Sequence, residues 1–203
     1  GVIPTIGPYL LPKVLPAVRD QYPNFQLRII EDQSHVLVDM VRNGEIDTAI
    51  LALPYGIEGL LSFEFWQEDF YWVTHRRGSY EAQTEITSEE LRETRLMLLK
   101  DGHCLKDHAL AACKLGTSDT DTSFASTSLS TLVQMVAGHM GTTLVPEMAL
   151  DQLVSGSAEL KAVHLDEPGP HRRIAFITRP NYAGVSSIEM LMKLFRKQLK
   201  GGG

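Results

Sequence analysis

Both cysteines of this 203-residue chain lie in one stretch, Asp101 to Cys113, which reads DGHCLKDHALAAC. Two thiols nine positions apart, among histidines, a lysine and aspartates, could form a disulfide staple, hold a metal, fill a core or cycle between thiol and disulfide. Two cysteines are too few for a disulfide scaffold in a chain of this size. Cys104 follows the apolar run Leu96–Leu99 and a tight Asp101-Gly102 turn, and the spacing after it predicts a helix through Leu105, Ala109, Leu110 and Ala112. That places the thiol at the carboxyl end of a strand and at the positive end of a helix dipole, with Lys106 nearby and His103 able to donate a hydrogen bond or charge. A thiolate stabilised in this way is the form that attacks peroxides, disulfides and metals.

Cys113 stands at the far end of the same helix. Nine residues at 1.5 Å each separate the two Cα atoms by about 13 Å, whereas a disulfide needs roughly 4.4–6.8 Å. Either the sulfurs never bond, or bonding unwinds the helix and turns an oxidation into a local rearrangement. Sulfenic acid at Cys104, then condensation with Cys113, is the expected sequence. Two other readings stay open. Cys113, beside Ala111 and Ala112, can be a core cysteine. Cys104 and His108, at i and i+4, share a helix face with His103 adjacent, as in a metal site, but Cys113 lies on another part of the helix.

The elements around this stretch read as α/β. Strands are expected at Val2–Ile6, Leu27–Glu31, Asp47–Leu53, Leu61–Trp66 and Phe70–His75, and later at Leu96–Leu99, Phe124–Ser126, Thr142–Val145, Lys161–Leu165 and Arg173–Thr178. Helices are expected from Leu11 to Val18, with Pro12 in the first turn and a kink at Pro16. Further ones run from Ser34 to Asn43-Gly44, from Ser128 to Gly138 and over Ser187–Leu199. Thr87 to Glu90 forms a capping box for a short helix. Two successive strand-helix-strand runs predict two lobes with parallel sheets and right-handed crossovers, and ligands gathered at the carboxyl ends of strands. Thr5 and Ser34 follow strands, so each either presents a hydroxyl there or caps the helix behind it. Asp107 in the first turn after Cys104 suits the dipole as a surface charge. Arg173 at a strand start reads as a solvated or paired charge. His35, His75, His139, His164 and His171 share no spacing and receive no role.

Composition narrows the function classes. Hydrophobic residues make up 43% and charged residues 22%, enough for a core and too ordinary for disorder. The net charge is −6 and basic residues come at most in pairs such as Arg76-Arg77 and Arg172-Arg173. A nucleic-acid surface needs a basic stripe, so this chain is not expected to grip DNA by itself. There is no apolar run of 18 residues to span a membrane. Gly201-Gly202-Gly203 reads as a tail, and the strand-like beginning suggests a domain of something longer. No Walker, GxGxxG, HExxH or GxSxG motif occurs.

The cysteine stretch, together with IPTIGPYLLP at 3–12, TSLSTLVQMVAGHMGTTLVP at 127–146 and ITRP at 177–180, resembles the regulatory domains of the OxyR group, the hydrogen-peroxide sensors among LysR-type transcription regulators. The resemblance covers residues from about 2 to about 179. It implies two Rossmann-like lobes of the periplasmic-binding-protein type joined by a two-strand hinge near 67–72 and 170–174. Lobe I would hold 1–69 and 174–200, lobe II 70–173 with the redox cysteines, and 201–203 a tail. It implies Cys104 as the peroxidatic and Cys113 as the resolving cysteine, with peroxide bound near Thr5, Ser34, His103, Asp107 and Arg173. Ser34 stands where members of the group often carry threonine, which keeps the hydroxyl and loses a methyl group. It further implies a cytoplasmic, non-enzymatic, homodimeric or homotetrameric regulator without metal or other cofactor. Such a regulator meets DNA through a winged helix-turn-helix absent from this chain, acts on RNA polymerase, and is reset by glutaredoxin or thioredoxin. The competing classes are a thiol peroxidase, against which stands the lack of a Pro-x-x-x-Thr-x-x-Cys segment before Cys104, and a small-molecule- or metal-binding effector domain with incidental cysteines.

Overall fold

The computed structural model describes residues 1–77, 80, 82–116, 118, 120, 126 and 128–201. The chain forms two compact units. It passes from the first to the second between Gln67 and Glu68 and returns at Arg173.

In the first unit, β1 (Thr48–Leu53), β7 (Arg172–Thr178) and β2 (Leu61–Glu68) form a sheet in the order β1-β7-β2. β1 and β7 are antiparallel, with Thr48 opposite Thr178 and Leu53 opposite Arg173. Val2 adds parallel bridges to Ile50 on one side and Glu31 on the other. The expected strands Val2–Ile6 and Leu27–Glu31 therefore shrink to single bridges. Pro4 has no N–H to extend a ladder, and the chain turns there, with Ile6 and Gly7 N–H both reaching the Ile3 carbonyl at 3.0 and 2.9 Å. Leu27, Ile29 and Ile30 are 40–43% exposed, so that apolar run is not core.

Helix α1 (Gly7–Gln21) starts a turn earlier than expected and runs through both Pro12 and Pro16. Pro8, at its first turn, loses nothing by lacking a donor. Pro8, Pro12 and Pro16 fall four apart on the exposed face, where a carbonyl lacking its helical donor is still solvated, while Tyr9, Leu10, Val14 and Val18 are buried. Helix α2 (Ser34–Asn43) closes as expected at Gly44, whose φ of 78° suits glycine. Helix α7 (Val185–Lys200) packs against α1 and buries Phe195 beside Phe65 and Phe176, with ring centroids 5.1–5.8 Å apart.

In the second unit, β3 (Phe70–His75) lies between β5 (Thr143–Pro146) and β6 (Leu160–Leu165), antiparallel to both, and β4 (Glu85–Ile86) runs parallel to β6. Beyond β5, Leu96 bridges Thr142 and Leu99 bridges Ser126, both parallel. Leu96–Leu99 is buried as expected but pairs only through these bridges. Of the expected strand Phe124–Ser126, Phe124 and Ala125 lie outside the described residues. Parallel pairing appears where a helix intervenes, from Val2 across α1 to Glu31 and from Leu99 across α4 (Cys104–Ala112) to Ser126. The β1–β7, β3–β5 and β3–β6 ladders are antiparallel although helices also lie between the paired strands; β3 and β7 each follow another strand directly, without a crossover helix, which corrects the expectation of parallel sheets. Thr87 and Glu90 form the expected capping box on α3 (Ser88–Arg92). Helix α5 (Leu129–Ala137) has Ser128 at its N-cap position without a side-chain cap bond; the hydroxyl meets Ser130 Oγ at 2.7 Å instead. A short α6 (Leu150–Leu153) follows β5. Among the described residues no helix is long and apolar enough to cross a membrane.

Candidate functional site

The first cysteine is placed by the turn before it. Asp101 and Gly102 turn the chain away from Leu99, and Gly102 has φ 95°, a conformation a side chain would resist. His103 is the N-cap residue, without a side-chain cap bond, and α4 begins at Cys104 itself. The thiol group is thus carried by the first helical residue, 4% exposed, where the helix offers unsatisfied N–H groups and its positive end.

The charges around it differ from a bare cation beside a thiol. Lys106 Nζ reaches back to Asp101 Oδ1 at 2.6 Å, and this contact holds the Asp101 carboxyl below its usual range. His103 is buried, its Nε2 makes no hydrogen bond among the described residues, and burial followed by Lys100 pushes its pKa down. It therefore offers a neutral imidazole rather than the charge that remained open from sequence. Asp107 lies exposed in the first turn.

Cys113 is the C-cap residue of α4, completely buried, and its N–H still bonds to Ala109 O at 3.1 Å. The helix is hydrogen-bonded from one cysteine to the other, which keeps their Cα atoms about 13 Å apart by helical rise. They are not disulfide-bonded. Burial pushes the Cys113 thiol up to about 12, reinforced by Glu167 and opposed by Arg92. It stays protonated at any ordinary pH. Cys104 and His108 gain no third ligand, since no group of three or more His, Cys, Asp or Glu suited to a metal ion occurs among the described residues.

The remaining sequence-predicted residues belong to the first unit. Thr5 is 3% exposed and precedes α1, whose N-cap is Ile6, so it is not the cap. Ser34 is not a cap either, because Gln33 holds that position and Ser34 is the first residue of α2. Its hydroxyl is buried without a hydrogen-bond partner among the described residues. Arg173 sits opposite Leu53 at the carboxyl end of β1, and its Nη1 meets Glu64 Oε1 at 2.7 Å, a paired charge. Thr5, Ser34 and Arg173 thus collect at one end of that unit's sheet, after Val2, Glu31 and Leu53. Cys104, His103, Asp107 and Cys113 are carried by the second unit. Sequence reading missed Ser88, Arg92 and Glu167, which surround the Cys113 end of α4. Only the Thr87 capping box marked their neighbourhood.

The family described as the LysR substrate binding domain matches residues 1–200. A probable hydrogen peroxide-inducible genes activator of Streptomyces viridosporus is 37% identical over 201 residues, 98% of this chain and 64% of that protein. The chain therefore spans less than two thirds of that relative's length. Among solved structures, a hydrogen-peroxide-bound cysteine-to-serine mutant of Corynebacterium glutamicum OxyR superposes with a TM-score of 0.91 at 29% identity, covering 99% of this chain and 64% of that one. The reduced OxyR regulatory domain of Pseudomonas aeruginosa gives 0.85 at 34% identity, covering 97% and 95%.

Proposed function

The chain belongs to the LysR substrate-binding domain family, and from that premise we propose that it is the peroxide-sensing regulatory part of a LysR-type transcription regulator. The observation that carries the reading is the placement of two thiols at opposite ends of one intact helix, one at its positive end and the other a buried, protonated thiol.

The chemistry runs in two steps. Cys104 thiolate attacks one oxygen of hydrogen peroxide; a sulfur–oxygen bond forms, the O–O bond breaks, and the departing hydroxide takes a proton to become water. Cys113 then condenses with the sulfenic acid, forming the S–S bond and releasing a second water. Sulfur supplies both electrons and peroxide is the oxidant. Neutral His103 beside Cys104 can accept or donate a hydrogen bond as charge moves between sulfur and oxygen, help of a kind worth about 10²–10⁴-fold in rate. Thr5, Ser34, Asp107 and Arg173 complete the peroxide-binding set on the strength of the family resemblance. Because α4 separates the thiols, the second step undoes the helix, and that rearrangement is the signal.

The output is a shape rather than turnover, which makes the chain a regulator and not an enzyme. In the full-length protein the change would repack a homodimer or homotetramer in the cytoplasm, redirect a DNA-binding domain outside this chain and alter contact with RNA polymerase. Glutaredoxin or thioredoxin would restore the thiols. Mass spectrometry of alkylated protein before and after stoichiometric peroxide tests the reading. The expected product loses both thiols in an intramolecular bridge, Cys104→Ser keeps its one remaining thiol, and Cys113→Ser stops at the sulfenic acid. Both thiols surviving stoichiometric peroxide refutes the proposal, and many equivalents of peroxide consumed per chain with a thiol reductant favours a peroxidase.

A further inference from the structure

The buried cysteine ends its helix against a strained neighbour. Lys114 has φ 51°, the left-handed region usually left to glycine at this position. Its N–H meets Ala111 O at 3.3 Å and the next N–H, of Leu115, meets Leu110 O at 2.9 Å, the two backward bonds that close a helix end. Groups distant in sequence hold Lys114 there. Arg92 Nη2 donates to its carbonyl at 2.9 Å, and its ammonium pairs with Glu167 Oε2 at 3.2 Å. Ser88 Oγ donates to the other Glu167 oxygen. None of these partners belongs to α4. Glu167 and Arg92 also lie near enough to Cys113 to push its thiol in opposite directions.

We propose that Arg92 and Glu167 are positioning residues that latch Lys114, so that its release from Glu167 sets how fast Cys113 can leave the helix end and reach oxidised Cys104. The inference rests on the peroxide reading above and deepens it. The gated step is the condensation of Cys104 S–OH with Cys113 S–H to S–S and water, the oxidant having been the peroxide of the first step. Cys113 cannot move without Lys114, and Lys114 is anchored by both its backbone and its side chain. The Lys114 side chain is 75% exposed, so its ion pair adds little to global stability and can be removed without unfolding the unit.

The experiment measures two rates in a modest excess of hydrogen peroxide: trapping of sulfenic acid at Cys104, and loss of the Cys113 thiol. Lys114→Met, Glu167→Gln and the double variant are compared with the wild type. Sulfenic acid formation is expected to be unchanged in all four. Bridging is expected about two- to fourfold faster in each single variant and faster by the same factor, not its square, in the double, because both substitutions remove the same contact. Arg92→Met moves the same way, and Arg92→Lys, which keeps a donor, stays near the wild type. Single variants that bridge at the wild-type rate, a double variant faster by the product of the two, or equal changes in both steps would overturn the latch while leaving the cysteine pair standing. A wild type that forms sulfenic acid but never consumes the Cys113 thiol overturns the pair itself, and the latch with it.

Discussion

Replacing Ala111 by glycine tests whether the two cysteines are separated by a helix that has to open. Ala111 lies within α4 with its side chain exposed, so losing the methyl group removes no core contact. Glycine in a helix is about 1 kcal/mol less favourable than alanine. If Cys104 and Cys113 bridge only after α4 is undone, that cost falls on the dithiol form and not on the disulfide form. For a two-electron couple, about 1 kcal/mol against the dithiol makes the midpoint potential more negative by about 20 mV. At a fixed glutathione poise near the midpoint, the ratio of bridged to reduced protein then rises about fivefold. The assay equilibrates the protein in glutathione buffers, alkylates the remaining thiols and reads the bridged fraction by mass. Lys193→Gly, at an exposed position of α7, carries a similar helix cost far along the chain from the cysteines and is expected to leave the midpoint in place. An unshifted midpoint for Ala111→Gly, or an equal shift for Lys193→Gly, refutes the link between helix and bridge.

Burial raises the Cys113 thiol from an ordinary value of 9.0 to about 12, so the folded protein keeps a proton that the unfolded chain releases. The stability this contributes is intact below pH 9.0 and is lost as pH climbs toward 12. Urea denaturation of reduced wild type should fall more steeply over that range than that of Cys113→Ala, and parallel profiles would count against the buried thiol. His103 has the opposite sign: its lowered pKa gives stability that is present above the unfolded value of 6.5 and drains away as pH falls through the folded one. His103→Gln is expected to flatten the acid limb of the same urea-stability profile, and an unchanged limb contradicts the buried neutral imidazole. Glu68→Ala strips the carboxylate from Arg172, with which it forms a 2.6 Å pair whose side chains are both fully buried, and removes the acceptor of the Met148 N–H. The expected loss is about 3–5 kcal/mol by urea titration, and a loss below about 1 kcal/mol would contradict the buried pair.

What could be read from the chain was mostly local. The Asp101-Gly102 turn and the apolar run before it are enough to put Cys104 at a helix start, and Asn43-Gly44 and the Thr87 box mark ends that the backbone uses as expected. Apolar content proved a guide to burial rather than pairing. Leu96–Leu99 is core but meets its neighbours only at single bridges, and Leu27, Ile29 and Ile30 face solvent. Helix α1 carries Pro12 and Pro16 inside its span, on the outer face where the carbonyls they leave without a donor can be solvated. Ser34 looked like a cap because the helix starts one residue earlier than its hydroxyl suggested. The contacts that hold the Cys113 end were beyond reach altogether. Lys114 and Glu167 are 53 residues apart, and Glu68 and Arg172 are 104 apart. No spacing rule connects such pairs before the sheet brings them together. The neutral state of His103 likewise depends on burial, which its neighbours in sequence do not reveal.

Amide hydrogen exchange over residues 105–113, read by mass spectrometry on the reduced protein and on the same sample after one equivalent of hydrogen peroxide, tests the central claim most directly. The account predicts slow exchange across the segment in the dithiol form and rapid exchange once the bridge has formed. A bridge between Cys104 and Cys113 with the segment still protected would contradict it.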